Sequence, residues 1–181
     1  MQPTIGVLGG TGSEGKGLAM RWAYAGYPVI IGSRDAERAR AAATEIAARL
    51  PKVSIAGMDN RAAAERADIA VLTVPYAAHQ ATLTSVKEAL RGKILVDVTV
   101  PLVPPRVTRV QLPPEDSAAV AAQALLGPAV RVVSAFQNVS AHLLEALDGS
   151  VDCDVLICGD DKEARDKVVA LAEAAGMRGI H

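Results

Sequence analysis

The sequence is short of three things that would otherwise narrow its partners. Its net charge is -1, so it offers no basic field for nucleic acid. No apolar run nears the length of a membrane span, which leaves a small molecule as the expected partner. Cysteine is rare: Cys153 and Cys158 lack C-x-x-C spacing, which argues against a disulfide framework or a zinc site. On one strand their odd spacing would turn them to opposite faces, as ordinary thiols of a reducing compartment. The opening Met-Gln-Pro-Thr has neither the charged nor the apolar region of a secretory signal, so the cytoplasm is the expected location. Half of the residues are apolar, and 181 residues suit one domain, 1–181, with a sizeable core.

What is present begins at Ile5. Ile5, Val7 and Leu8 form a short, partly β-branched apolar run that stops at glycines. Gly10, Gly12 and Gly15 follow at G-x-G-x-x-G spacing, and a helical pattern with Leu18, Ala19 and Trp22 comes at once. Strand, glycine turn and helix in that order are the context in which this spacing binds a dinucleotide. Gly10 is expected to permit the tight turn, Gly12 to let the backbone reach a pyrophosphate, and Gly15 to bring helix and strand together. Free N–H groups at the helix start would face the anion. The same residues nearly spell a triphosphate loop, since Gly10, Gly15 and Lys16 fit G-x-x-x-x-G-K. Gly17, however, stands where the magnesium-binding hydroxyl belongs. A purely structural glycine turn is the remaining alternative.

Downstream, strand and helix signals alternate. Apolar runs predict strands at 29–31, 53–56, 69–74, 93–98, 130–134 and 154–158, with a last strand beginning as the chain stops at His181. Helical stripes and caps predict helices over 35–50, 60–66 with Asn60 as cap, 77–90, 117–126 with Asp116 or Ser117 as cap, 140–147, and 161–175 ended by Gly176. The stretch 101–114 carries Pro101, Pro104, Pro105, Pro113 and Pro114, a stiff, extended excursion of the kind that usually serves function. Strands that are apolar throughout suit a parallel sheet covered on both faces. The fold class is therefore α/β, a doubly wound parallel sheet of the Rossmann type, with ligand outside the carboxyl ends of the strands near the switch point between the first and fourth.

The end of the second strand chooses the cofactor. A binder of NAD places a carboxylate there, whereas this chain has Gly32, Ser33 and Arg34. Ser33 can donate to a 2′-phosphate, Arg34 can form a bidentate pair with it, and Arg38 lies one helical turn on. The combination favours NADP(H). The alternative is a solvated basic face paired with Asp35 and Glu37.

No catalytic constellation stands out. Tyr24, Tyr27 and Tyr76 lack the lysine four residues on that would suggest a short-chain dehydrogenase. His79, His142 and His181 have no metal-ligand spacing, and each reads as a surface or satisfied histidine. Thr73-Val74-Pro75-Tyr76 after the fourth strand and Thr99-Val100-Pro101-Leu102 after the fifth echo each other, as an apolar floor for a nicotinamide or as simple strand stops. The helical second domain of hydroxyacid and imine reductases does not fit in this length. A hydride step that needs no proton-transfer residue, with another redox cofactor as partner, is the expectation.

Together the segments GGTGSEGKGLAMRWAYAGYPVIIGSRDAERA, ADIAVLTVPY, DVTVPLVPP, RVVSAFQNVSA and CDVLICGDD resemble the NADPH-dependent coenzyme F420 reductase family, over essentially the whole chain. The resemblance implies reversible hydride transfer between NADPH and the deazaflavin F420, with the two rings stacked near the sheet edge, in a homodimer. It implies NADP contacts at Thr11, Gly12, Ser13, Glu14, Ser33, Arg34 and Arg38, and ring contacts at Val74, Pro75, Tyr76, Val100 and Pro101. Archaeal members carry histidine where Gln137 stands, near the deazaflavin. Gln137 is the first choice to orient that ring, ahead of Ser134 and Asn138. The family also continues past His181 with a glycine-proline loop and a helix that close the deazaflavin site and form the dimer, an extension expected to be absent here. Asn138-Val139-Ser140 fits a glycosylation sequon, without meaning in a cytoplasmic protein. Two other functions remain open: an NADPH reductase of a flavin or ferric acceptor, and a non-catalytic NADP-sensing module.

Overall fold

The computed structural model describes residues 2–103, 105, 111–147 and 149–181. Six parallel strands make the main sheet: β1 (Ile5–Leu8), β2 (Val29–Ser33), β3 (Ile55–Asp59), β4 (Ile69–Leu72), β5 (Ile94–Asp97) and β6 (Arg131–Ser134). Their order, β3-β2-β1-β4-β5-β6, is the doubly wound order expected from the sequence. Successive residues of a strand face opposite sides, so Val7 packs in one apolar cluster and Leu8 in the other. Helices α1 (Ser13–Tyr24), α2 (Ala36–Arg49) and α7 (Lys162–Ala174) cover the first face, and α3 (Asn60–Arg66), α4 (Tyr76–Val86) and α5 (Ala118–Leu126) cover the second. Burial on both sides is why these strands read as unbroken apolar runs.

A smaller unit follows β6. The four-residue α6 (Ala141–Leu144) leads to β7 (Asp154–Leu156), which pairs in parallel with β8 (Arg178–Ile180) across α7. An antiparallel bridge between Ser134 and Cys158 joins this pair to the end of β6. Arg21 fastens it from the other side. Its buried guanidinium donates to the carbonyls of Leu143, Leu144 and Ala175 at 2.8–3.2 Å, and also reaches those of Ala146 and Gly149. Burial lowers the Arg21 pKa, yet the cation caps the carboxyl ends of α6 and α7, where free carbonyls favour it.

Several boundaries differ from the sequence reading, each for a local reason. Pro51 and Lys52 form a turn with Lys52 at φ 78°, and the ladder to β2 starts at Ile55, so the third strand is 55–59 and not 53–56. Asp59, not Asn60, caps α3 by accepting from the Ala62 N–H at 2.9 Å. Helix α4 stops at Val86, and a tighter 3-10 turn over Glu88–Leu90 puts Leu90 into the core. Gly176, at φ 82°, ends α7 and turns the chain straight into β8, the expected last strand, which occupies Arg178–Ile180 just before His181. The cysteines do not share a strand: β7 ends at Leu156, Cys153 precedes it and Cys158 follows in the bridge. Of the proline-rich stretch 101–114, residues 104 and 106–110 lie outside the described residues. Its two ends meet, because the Gln111 N–H donates to the Pro101 carbonyl at 3.0 Å.

Candidate functional site

A groove of about 880 Å³ opens along the carboxyl edge of the sheet. Gly9, just after β1, and Thr73, just after β4, both line it, which puts it at the switch point. The groove has a polar end at the start of α1 and the end of β2. Its other end is apolar, between the segments that follow β4 and β5.

At the polar end the glycines divide the work differently from the simplest sequence reading. The tight turn needs Gly9, whose φ is 77°; Gly10 is buried beneath the groove, where a Cβ would meet the Val7 carbonyl at 2.8 Å. A Cβ on Gly15 would stand 2.5 Å from Thr73 Oγ1 and 2.7 Å from Gly10 Cα, so glycine is required for α1 to approach the loop and β4. A Cβ on Gly12 would meet nothing within 4 Å. No packing demands glycine there, and bare backbone faces open groove, as an incoming diphosphate requires. Asn60 accepts from the Gly9 N–H at 3.2 Å and Thr73 donates to the Leu8 carbonyl at 3.1 Å, fixing the loop from the start of α3 and the end of β4.

Capping sets this end apart. Asp35, Asp59, Ser117 and Asp161 each cap a helix with a side-chain oxygen, whereas α1 begins at Gly12 with no such bond. Its first N–H groups point at the groove, ready for an anion. Helix α4, which begins beside the groove behind Pro75, and the short α6 also lack a side-chain cap. Glu14 lies in the first turn of α1 and lines the groove; burial outweighs the favourable helix terminus and pushes its pKa up to about 7. Lys16, the residue a triphosphate loop would need, instead pairs with Glu45 at 2.6 Å.

Ser33, Arg34 and Arg38 line the same end. The Ser33 hydroxyl accepts from the Asp35 N–H at 3.2 Å and keeps its own proton to give. Glu37 binds Arg40, and Asp35 caps α2, so the acidic neighbours of Arg34 and Arg38 are engaged elsewhere. Among the described residues neither Arg34 nor Arg38 has an ion-pair partner.

At the apolar end Val74, Pro75, Tyr76 and Val100 line the groove together with Gln137. Pro101 does not: it lines an adjoining, largely apolar cavity of about 1210 Å³ along α5 and β6. Thr99, Val100 and Gln137 belong to the walls of both. Gln137 donates both its amide N–H bonds within the protein, to the Asp97 carbonyl at 2.8 Å and to Ser134 Oγ at 3.0 Å, which leaves its carbonyl to accept from a ligand. Asn138 is not part of the site. Its amide donates to the Asp154 carbonyl at 2.9 Å, and the side chain faces a different surface. Ser134 stands in the wall of the adjoining cavity.

The sequence names Asn60 here only as a helix cap, Thr73 as part of the floor and His79 as a surface or satisfied histidine, and Asp97 goes unremarked. Asn60 and Thr73 fix the glycine loop, and His79 and Asp97 form a buried pair, Nε2 to Oδ2 2.8 Å, behind the apolar end. The available signal is the carboxylate of Asp97 in the otherwise apolar run Ile94–Val98. Among the described residues no group of three or more His, Cys, Asp or Glu is placed to hold a metal ion.

Comparison with known proteins matches residues 4–101 to the family described as NADP oxidoreductase, coenzyme F420-dependent. The F420-dependent NADP reductase of Methanothermobacter marburgensis is 47% identical over 97% of this chain and 82% of its own length. Metalloreductase STEAP3 of Rattus norvegicus is 33% identical over 97% of this chain but 33% of its own length. A crystal structure from Arthrobacter sp. fb24, solved as a candidate F420-dependent NADP-reductase, aligns with a TM-score of 0.79 at 28% identity, covering 99% of this chain and 83% of that one.

Proposed function

The chain belongs to the coenzyme F420-dependent NADP oxidoreductase family, and from that premise we propose how its groove performs the reaction. The protein is an oxidoreductase that moves hydride reversibly between NADPH and the deazaflavin F420. Towards F420, NADPH supplies the hydride and a ring carbon of the deazaflavin receives it, with one proton taken up from solvent. The N-terminus of α1 holds the diphosphate on the N–H groups of Ser13, Glu14 and Gly15, over the bare backbone of Gly12 and beside Thr11. Ser33, Arg34 and Arg38 take the 2′-phosphate. Val74, Pro75, Tyr76 and Val100 supply a dry floor, Pro101 extends it into the adjoining cavity, and the Gln137 carbonyl accepts from a ring N–H. No side chain passes a proton in the hydride step, so the protein acts by holding two rings together and excluding water.

One observation carries this reading. A single groove joins an uncapped helix terminus and two guanidiniums, without ion partners among the described residues, to an apolar end, and that end shares Thr99, Val100 and Gln137 with a second cavity. The test offers NADPH with F420, FMN or a ferric chelate separately and follows nicotinamide absorbance. Oxidation with F420 is expected. Turnover with FMN or ferric iron alone would assign the protein to the reductases of those acceptors; a metal acceptor is the reading that the similarity to Metalloreductase STEAP3 favours. Binding of NADPH without oxidation by any acceptor would make it a sensing module.

The working form in this reading is a homodimer in the cytoplasm. Supporting it, Leu112 and Val120 are exposed beside the apolar cavity, a face suited to a second copy. Among the described residues no helix is long and apolar enough to cross a membrane.

A further inference from the structure

Three chain segments that line the apolar end of the groove converge on one buried residue behind it, two on its carboxylate and the third on its backbone carbonyl. Asp97 is fully buried at the end of β5, and His79, one turn after Tyr76 on α4, is 4% exposed. His79 Nε2 lies 2.8 Å from Asp97 Oδ2, and the Tyr76 and His79 rings are 6.1 Å apart. The other carboxylate oxygen accepts from the Thr99 N–H at 3.0 Å, immediately before Val100. The Asp97 carbonyl accepts from Gln137 at 2.8 Å. Neither His79 nor Asp97 lines the groove.

Two facts argue that this arrangement is kept for position rather than for stability. Ile94, Leu95 and Val96, the rest of β5, are buried and apolar, and a matching aliphatic residue at 97 would avoid the cost of desolvating a carboxylate. The residue that presents Gln137 is also held unfavourably. Phe136 has φ 70°, rare for a bulky side chain, and is fixed there by burial and an edge contact with Trp22 at 5.8 Å. A strained link and a buried polar pair thus meet behind the same wall of the groove.

We propose that His79 and Asp97 are positioning residues for hydride transfer: the pair sets the spacing between Tyr76, the Thr99–Val100 edge and Gln137, and so the approach of the two rings, without touching either. The inference rests on the reading that both rings meet at this end of the groove. H79M keeps the volume and removes the hydrogen bond, whereas H79Q places an amide N–H near where Nε2 stands. A misplacement of about 1 Å can cost about 100-fold in rate, so H79M is expected to lose roughly 10- to 100-fold in kcat. Its affinity for NADP should stay at the wild-type value, because the phosphates are held at the other end. The isotope effect with NADPH deuterated at the transferred position should rise as hydride transfer becomes limiting, and H79Q should recover most of the rate. Wild-type turnover and isotope effect in H79M would overturn the proposal. So would an H79Q as slow as H79M, or a parallel fall in NADP affinity. H79N, whose amide is too short to reach Asp97, repeats the loss in a second background; failure of H79M and H79N to fold while H79Q folds would assign the pair to stability and overturn it as well. Absence of F420 turnover in the wild type is a different result, one that rejects the reaction and not the strut.

Discussion

The two ends of the groove are built on opposite plans. The phosphate end is local in sequence: the loop from Gly9 to Gly15 and the segment from Ser33 to Arg38 carry nearly all of it, and backbone N–H groups and guanidiniums supply the chemistry. The ring end is assembled from distant pieces, with the segments of Tyr76, Val100 and Gln137 tied to Asp97 through His79, the Thr99 N–H and the Gln137 amide, and with the bend at Phe136. The difference teaches where affinity and rate should reside. Charge-assisted contacts at one end should decide which nucleotide binds, and packing at the other how fast it reacts.

The sharpest way to break that division is to remove both guanidiniums. Each hydrogen bond to a charged group contributes about 1.5–3 kcal/mol, so R34A/R38A should weaken NADP binding by about 3–6 kcal/mol, on the order of 100- to 10,000-fold. NAD affinity should hardly change, and titration of both nucleotides reads the ratio directly. R34A alone should weaken NADP about 10- to 100-fold on the same scale. Unaltered NADP affinity in the double variant would place the 2′-phosphate elsewhere. Y76A should sharpen the contrast from the opposite side, lowering kcat about 10-fold through loss of ring placement while the dissociation constant for NADP holds. Equal losses in both quantities would mean that the two ends are not separable.

The same contrast explains what could be read from the sequence. The sheet order, the glycine loop and the basic pair follow from short-range patterns, and the structure puts Thr11 to Gly15, Ser33, Arg34 and Arg38 on one groove wall. Gly9 takes the turn expected of Gly10 because φ at a turn is not written in spacing alone. Pro101 falls into the neighbouring cavity, since residues past the end of a strand have no ladder to fix their direction. His79 looks like an ordinary helix histidine until the fold brings Asp97 to it from 18 residues away. Gln137 is recognisable as polar, but that both its N–H bonds are spent on Asp97 and Ser134, leaving an acceptor, depends on three-dimensional contacts.

The smallest expected effect lies at the phosphate end and comes from the carboxyl group in the first turn of α1. Burial raises Glu14 from its ordinary value of 4.5 to about 7 in the folded protein. Below that pH the side chain is neutral and compatible with a diphosphate on the same helix turn; above it, a carboxylate and the diphosphate compete for the same N–H groups. NADP affinity should therefore fall as pH rises through about 7, by at most about 10-fold per pH unit, with a flat profile in E14Q. Stability follows the same sign. The folded state keeps a proton that the unfolded chain releases near 4.5, so this group's contribution is fully present below 4.5 and is lost as pH rises to about 7. Melting curves of E14Q and wild type should coincide in acid and separate towards pH 8, with E14Q the more stable. Curves that stay together, or NADP binding that tightens as pH rises in the wild type alone, would show that Glu14 is ionised and accommodated in the folded loop. The phosphate end would then contain a charge balance of its own, not the simple anion cradle that distinguishes it from the ring end.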